Sequence, residues 1–182
     1  RELNRERQNQ LAREIIARFN FRPATLRRVF DMMFAALNYC HGAEELDGVP
    51  PRIKLPDSTP RDFVASYDQL AAFWDAPKPP HFQVLFVLLL ATGARPSTVL
   101  ELTRFQCNLE DGFIDLNPPG RDQTSKRRPV IAMCAVLREW VAAASDGPLV
   151  HYNGRPIEYA NQTWRRIRRL AGLPEAFTPG AM

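Results

Sequence analysis

The residue whose surroundings point most directly to chemistry is Arg95. It stands in Ala91-Thr92-Gly93-Ala94-Arg95-Pro96-Ser97-Thr98-Val99-Leu100-Glu101-Leu102, just before a proline and shortly after a glycine. An apolar helix stops at Gly93, and Pro96 opens the next one, because its fixed φ suits a first turn where its missing N–H is not needed. This pattern puts a guanidinium beside unused backbone N–H groups, an arrangement suited to holding a phosphate. It is equally compatible with a structural arginine paired to a carboxylate such as Glu101. A second basic feature is Arg165, Arg166, Arg168 and Arg169, which fall at i, i+1, i+3 and i+4 and form one broad helical face. Such a face is either solvated or turned toward nucleic acid. Cys40, Cys107 and Cys134 lie far apart without a Cys-x-x-Cys pair, and His41, His81 and His151 are equally scattered. Reduced, buried thiols are therefore expected, with no disulfide framework, no metal site and no cofactor.

The elements that must position these residues can be read from periodicity and from helix breakers. Leu3, Leu11, Ile15 and Ile16 predict an amphipathic helix over the first twenty residues. Asn20-Phe21-Arg22-Pro23 interrupts it, and a second helix runs from Pro23 to about His41. Its core stripe is Leu26, Val29, Phe30, Met33, Phe34 and Leu37; Arg22, Arg27 and Arg28 lie near its start, and Gly42 is placed to cap its end. Gly48 to Pro60 carries four prolines in eleven residues, which forbids a helix and favours an extended strap. A domain boundary is expected there. Ser66-Tyr67-Asp68-Gln69 fits a capping box for a helix through Trp74. Pro79-Pro80 leads into an apolar helix over 81–92. Beyond the Arg95 helix, Phe105 to Cys107 and Phe113 to Leu116 predict a β-hairpin through Glu110-Asp111-Gly112. A polar loop from Pro118 to Arg127 leads to a third strand, Pro129 to Met133. A helix from Cys134 to about Ala144, a turn at Asn153-Gly154 and a last helix over 158–171, closed by Gly172, complete the chain.

Composition is permissive. With 182 residues and 45% apolar side chains, the chain can bury one compact core or two small ones. The longest apolar run, Phe82 to Ala91, is too short to span a bilayer. No charged-then-apolar leader opens the sequence, and a cytoplasmic protein with no membrane partner is expected. A net charge of +4, carried mostly by arginine, allows a nucleic-acid partner without demanding one.

The stretch around Arg95 resembles the first arginine motif of the tyrosine recombinases (phage integrases), of the form T-G-x-R-x-S-E followed by two hydrophobic residues, any residue and leucine. Thr92, Gly93, Arg95, Ser97, Val99, Leu100 and Leu102 match. Thr98 departs, standing where the family carries a glutamate that commonly supports the arginine. In that family a three-stranded sheet follows, and its second hairpin carries a catalytic lysine. Phe113-Ile114-Asp115-Leu116 and Arg128-Pro129-Val130-Ile131-Ala132-Met133 look like the two strands. Lys126 is the one lysine in the loop between them, although the family's lysine falls a residue or two earlier, at Ser125 or Thr124. Leu149 to Ile157 and Trp164 to Leu173 resemble the strand-turn segment and the penultimate helix.

The resemblance implies an α+β, mainly α fold. Residues 1–47 would be the C-terminal part of a helical, SAM-like core-binding domain, 48–62 a proline-rich linker, and 63–182 the N-terminal part of a catalytic domain with a small three-stranded antiparallel sheet. It implies site-specific DNA cleavage and rejoining through a 3′-phosphotyrosine, with two arginines clamping the phosphate oxygens. Arg95 would be the first of these, and Lys126 the general acid for the leaving 5′-oxygen. Arg22, Arg27, Arg28, Arg121, Arg127, Arg128, Arg165, Arg168 and Arg169 would contact the DNA. The partner would be double-stranded DNA held in a C-shaped clamp, with self-association into a tetramer on it. In the family a His-x-x-Arg motif follows a Thr-Pro like Thr178-Pro179, and the tyrosine nucleophile comes later. Here Gly180 takes the histidine's place, and Tyr39, Tyr67, Tyr152 and Tyr159 all precede it. The sequence is thus expected to be an incomplete and inactive fragment. Two rivals are a non-catalytic, integrase-like DNA-binding protein (a regulator or remnant) and a helical protein-interaction domain.

Overall fold

The computed structural model describes residues 5–49, 52, 54, 55, 57 and 63–181. The chain divides into two compact units, Arg1–Arg61 and Asp62–Met182.

The first unit is a helical hairpin of α1 (Arg5–Phe19) and α2 (Pro23–Gly42). Leu3 of the expected first stripe lies outside the described residues. Asn20 adopts a left-handed φ of 48° after α1, a conformation that asparagine tolerates at helix ends. Pro23 occupies the first turn of α2, as its chemistry favours. Leu26, Phe30 and Phe34 of α2 are buried with Ala12 of α1, and Leu11, Ile15, Met33 and Leu37 pack around them. Gly42 is the last helical residue rather than the cap. Ala43 is the cap, and the left-handed residue is Glu44. Described parts of the proline-rich segment belong to this unit: Leu55 packs on its core. The Arg52 guanidinium lies 4.9 Å from the Phe34 ring centroid and 3.2 Å from the Asp31 carboxylate.

The second unit is α+β. α3 (Tyr67–Asp75) begins with the expected capping box: the Gln69 N–H donates to the Ser66 hydroxyl, and the Ser66 N–H donates to the Gln69 side-chain oxygen. α4 (Pro80–Thr92) buries Phe82, Leu85, Phe86, Leu88 and Leu89, an apolar spread all round that marks a central helix. α5 (Pro96–Leu100) follows. Three short strands, β1 (Cys107–Asn108), β2 (Phe113–Asp115) and β3 (Val130–Ala132), form an antiparallel sheet in the order β1-β2-β3. Its register pairs Ile114 with Cys107 on one side and with Ile131 on the other. After α6 (Ala135–Ala142), β4 (His151–Tyr152) and β5 (Arg155–Pro156) make a hairpin, and α7 (Asn161–Leu170) follows. α7 closes as the sequence predicts. Gly172 takes φ 66°, its N–H donates to the Arg169 carbonyl, and the Leu173 N–H donates to that of Arg168. Around Phe73 the core is aromatic, with the rings of Trp164, Phe86 and Phe177 at 4.3, 4.9 and 5.2 Å.

Two further expectations need correction. Phe105 is not in a strand: Arg104–Gln106 form a 3₁₀ turn closed by a Thr103–Gln106 capping box, which leaves Phe105 exposed. The thiols are not uniformly buried either. Cys107 is buried, which pushes its pKa up to about 11, whereas Cys40 is half-buried and Cys134 exposed. All three are free.

The β1–β2 turn depends on Gly112, which has φ 73°. A Cβ there would overlap the Arg138 guanidinium, which donates to the Leu109 carbonyl at 3.0 Å. Gly112→Ala is expected to destabilise the second unit by about 1–2 kcal/mol, the cost of a left-handed L-residue. Chemical denaturation measures this directly, and a variant as stable as the parent would contradict the assignment.

Candidate phosphate site

Arg95 is held by its backbone. α4 ends where Gly93 turns left-handed at φ 59°, its N–H donating to the Leu89 carbonyl. The Thr92 hydroxyl donates to the Leu88 carbonyl at 2.6 Å and accepts the Ala94 N–H at 3.1 Å, which fixes the exit of the chain. Arg95 is the N-cap of α5, and its carbonyl accepts the N–H groups of Thr98 and Val99. α5 is only five residues long, so its dipole is slight and the guanidinium itself carries the charge.

The Arg95 side chain is exposed and makes no hydrogen bond or ion pair among the described residues. It lines a cavity of about 330 Å³ together with Thr92, Thr98, Arg127, Arg128 and neighbouring apolar residues. No carboxylate among the described residues lines this cavity. Thr98, buried at 4% exposure, brings a neutral hydroxyl where the resembling family has a glutamate.

Arg127 and Arg128 of the lining come from the loop between β2 and β3, which is tied down at several points. The Gln123 side chain brackets the backbone of Arg128, accepting its N–H at 3.2 Å and donating to its carbonyl at 2.9 Å. The Arg128 guanidinium, only 10% exposed, donates to the Glu101 carboxylate at 2.6 Å. Glu101 therefore pairs with Arg128, not with Arg95. Arg121 donates to the Asn117 side-chain oxygen at 2.9 Å, while its carbonyl accepts the Asn117 amide at 2.7 Å. Glu101 stands in the sequence as a possible partner of Arg95, not of Arg128, and Gln123 carries no signal there. The first lies 27 residues from its partner, a separation over which sequence gives no pairing signal.

The remaining candidates are distributed as follows. Arg127 is exposed, lines the cavity and has no hydrogen bond or ion pair among the described residues. Lys126 is exposed in the same loop but does not line the cavity. On α7, Arg165 and Arg169 are exposed, while Arg168 is half-buried and donates to the Glu175 carbonyl at 2.7 Å. In the first unit, Arg22 and Arg28 are exposed and Arg27 pairs with Asp57 at 3.0 Å. None of Tyr39, Tyr67, Tyr152 and Tyr159 lines the Arg95 cavity.

The fold is similar to that seen in the crystal structure of XerA recombinase, with a TM-score of 0.50 and 15% sequence identity over 94% of this chain and 63% of that one. The chain thus spans less than two thirds of that recombinase's length. No protein-family model matches the sequence, nor does any curated protein. What the likeness establishes is the architecture: an α+β, recombinase-like fold. No described helix is long and apolar enough to cross a membrane.

Proposed function

We propose that this chain is part of a tyrosine-type, site-specific DNA recombinase, with residues 1–47 a piece of a helical DNA-binding domain and 63–182 the phosphate-gripping part of a catalytic domain. The observation that carries this reading is Arg95: exposed, without a hydrogen bond or ion pair among the described residues, and lining a cavity that it shares with Arg127 and Arg128 and with no described carboxylate. A preorganised guanidinium of this kind stabilises the charge that develops on a phosphodiester under attack. Lys126, in the exposed part of the same loop, is the general acid in this reading, which requires the loop to carry it to the leaving 5′-oxygen. Arg22, Arg28, Arg165 and Arg169 contribute backbone contacts to duplex DNA, on which the protein self-associates. None of Tyr39, Tyr67, Tyr152 and Tyr159 is the nucleophile in this reading.

The test is binding of a fluorescent 30-base-pair duplex across a salt series. Affinity is expected to fall linearly on logarithmic axes, by about 10²–10⁴-fold between 50 and 200 mM salt, as counterion release from several phosphates requires. Salt-independent binding, or none, would sink the proposal in favour of a protein-interaction domain. Gly180, which follows Thr178-Pro179 where the resembling family carries a histidine, favours a second reading as a non-catalytic DNA-binding protein. Covalent adduct formation on a nicked duplex separates the two.

A further inference from the structure

The tip of the β4–β5 hairpin holds chemistry of a different kind. Asn153 and Gly154 form its loop, with φ of 50° and 77°, the doubly left-handed turn that Asn-Gly favours. Asn153 alone among the asparagines of the chain precedes a glycine. A Cβ on Gly154 would meet nothing within 4 Å, so its backbone nitrogen is open to approach. Asn153 is exposed, and its side chain makes no hydrogen bond among the described residues. Asn108 and Asn117, by contrast, have side chains tied to Asp111 and to Arg121. A base is also in place. The Gly154 N–H donates to His151 Nδ1 at 3.1 Å, which makes Nδ1 the unprotonated nitrogen and leaves the ring proton of the neutral imidazole on Nε2. His151 pairs with Pro156 across the same hairpin, so the strands that shape the turn also carry the imidazole.

We infer that Asn153–Gly154 is a self-modification site, where Asn153 loses its side-chain amide with His151 as general base. The Gly154 nitrogen gives its proton to His151 Nδ1 and forms a bond to Asn153 Cγ. The bond from Cγ to the side-chain nitrogen breaks, and ammonia leaves with the proton returned by the imidazolium. Water then opens the five-membered imide at either carbonyl, giving aspartate or isoaspartate at position 153. Either product places a carboxylate beside Arg155, which pairs in register with Tyr152. Isoaspartate also adds a backbone carbon to the turn. Nothing in this chemistry depends on the DNA reading.

The probe is the purified chain, aged in neutral buffer. Peptide mass spectrometry follows the loss of the amide, and enzymatic methyl transfer to isoaspartate counts the rearranged product. Asn153 is expected to react before any other asparagine. His151→Gln keeps an acceptor for the Gly154 N–H but supplies no base. It is expected to slow the loss roughly tenfold, short of the effect of a fully placed enzymatic base because solvent hydroxide serves the variant as well. The parent chain unfolded in guanidinium chloride loses the placement of His151 and is also expected to react more slowly, a comparison that needs no variant to fold. A His151→Gln rate equal to or above the parent's removes the base and overturns the inference. So does a faster reaction in the unfolded chain, which would mean that the turn protects Asn153.

Discussion

Trp164→Ala is expected to lower the melting temperature of the second unit by roughly 10–20 °C. Trp164 is 1% exposed, and its ring sits 4.3 Å from Phe73, 6.0 Å from Phe177 and 6.2 Å from Phe86. It is the point at which α7 meets α3 and α4. Removing the indole leaves a cavity that three large, mutually wedged rings cannot readily fill, and such truncations cost about 3–5 kcal/mol. The indole N–H also donates to the Phe177 carbonyl at 3.2 Å, so the variant leaves a buried acceptor without its partner. Against a typical total of about 5–15 kcal/mol, this is a large share. Trp164→Phe keeps most of the packing and loses the hydrogen bond, so a cost of about 1–2 kcal/mol is expected. Calorimetry on both variants, with Arg165→Ala as an exposed control on the same helix, separates the contributions. A Trp164→Ala transition within a few degrees of the control would mean that this aromatic cluster does not hold the unit together.

This core was legible in the sequence to the extent that local pattern determined it. The apolar run of α4, the Ser66–Gln69 capping box, the glycine stop at Gly93 and the glycine closure of α7 are all short-range signals, and each appears where its chemistry requires. The misplaced elements failed for local reasons too. Phe105 reads as a strand residue by propensity, yet Thr103 and Gln106 close a capping box around it. That Thr-x-x-Gln pattern was present in the sequence and outweighed the aromatic. Gly42 reads as the cap of α2 because glycine is the commonest left-handed residue, but the helix runs through it and Glu44 takes the positive φ.

The candidate phosphate site was legible only in part, because it is assembled from two segments. Arg95 could be found from the glycine and proline on either side of it. What lies opposite could not. From sequence, Arg121, Arg127 and Arg128 are equivalent basic residues in a loop. The structure distinguishes them by their partners: Asn117 for Arg121, Glu101 for Arg128 and none among the described residues for Arg127. Lys126, the sole lysine of that loop, lies outside the cavity, so its charge is less well placed than its identity implied. The pairing of Glu101 with Arg128 also removes the plainest structural explanation for Arg95, namely that it is neutralised by that carboxylate.

Arg95→Ala is expected to lower phosphodiester cleavage by about 10²–10³-fold in any form of this protein that carries its nucleophile, while weakening duplex binding only a few-fold. The two effects differ because of when each interaction matters. In the bound ground state, Arg95 is one of several cations along a polyanion, and Arg127 stands beside it at the same cavity. Its loss is then one contact among many. During attack on phosphorus the equatorial oxygens gain negative charge, and a guanidinium already in place stabilises that charge without reorganisation. In the proposed reading Arg95 suits this role, since its carbonyl accepts the N–H groups of Thr98 and Val99 and no carboxylate among the described residues lines the cavity. Arg95→Lys separates charge from shape: lysine keeps the positive charge but cannot fork onto two oxygens, so it is expected to recover only part of the rate. The measurement is the initial rate of covalent adduct formation on a nicked duplex, with binding followed in parallel at the same salt. Equal losses in binding and in rate would reduce Arg95 to an ordinary backbone contact, and an unchanged adduct rate would remove it from the chemistry altogether.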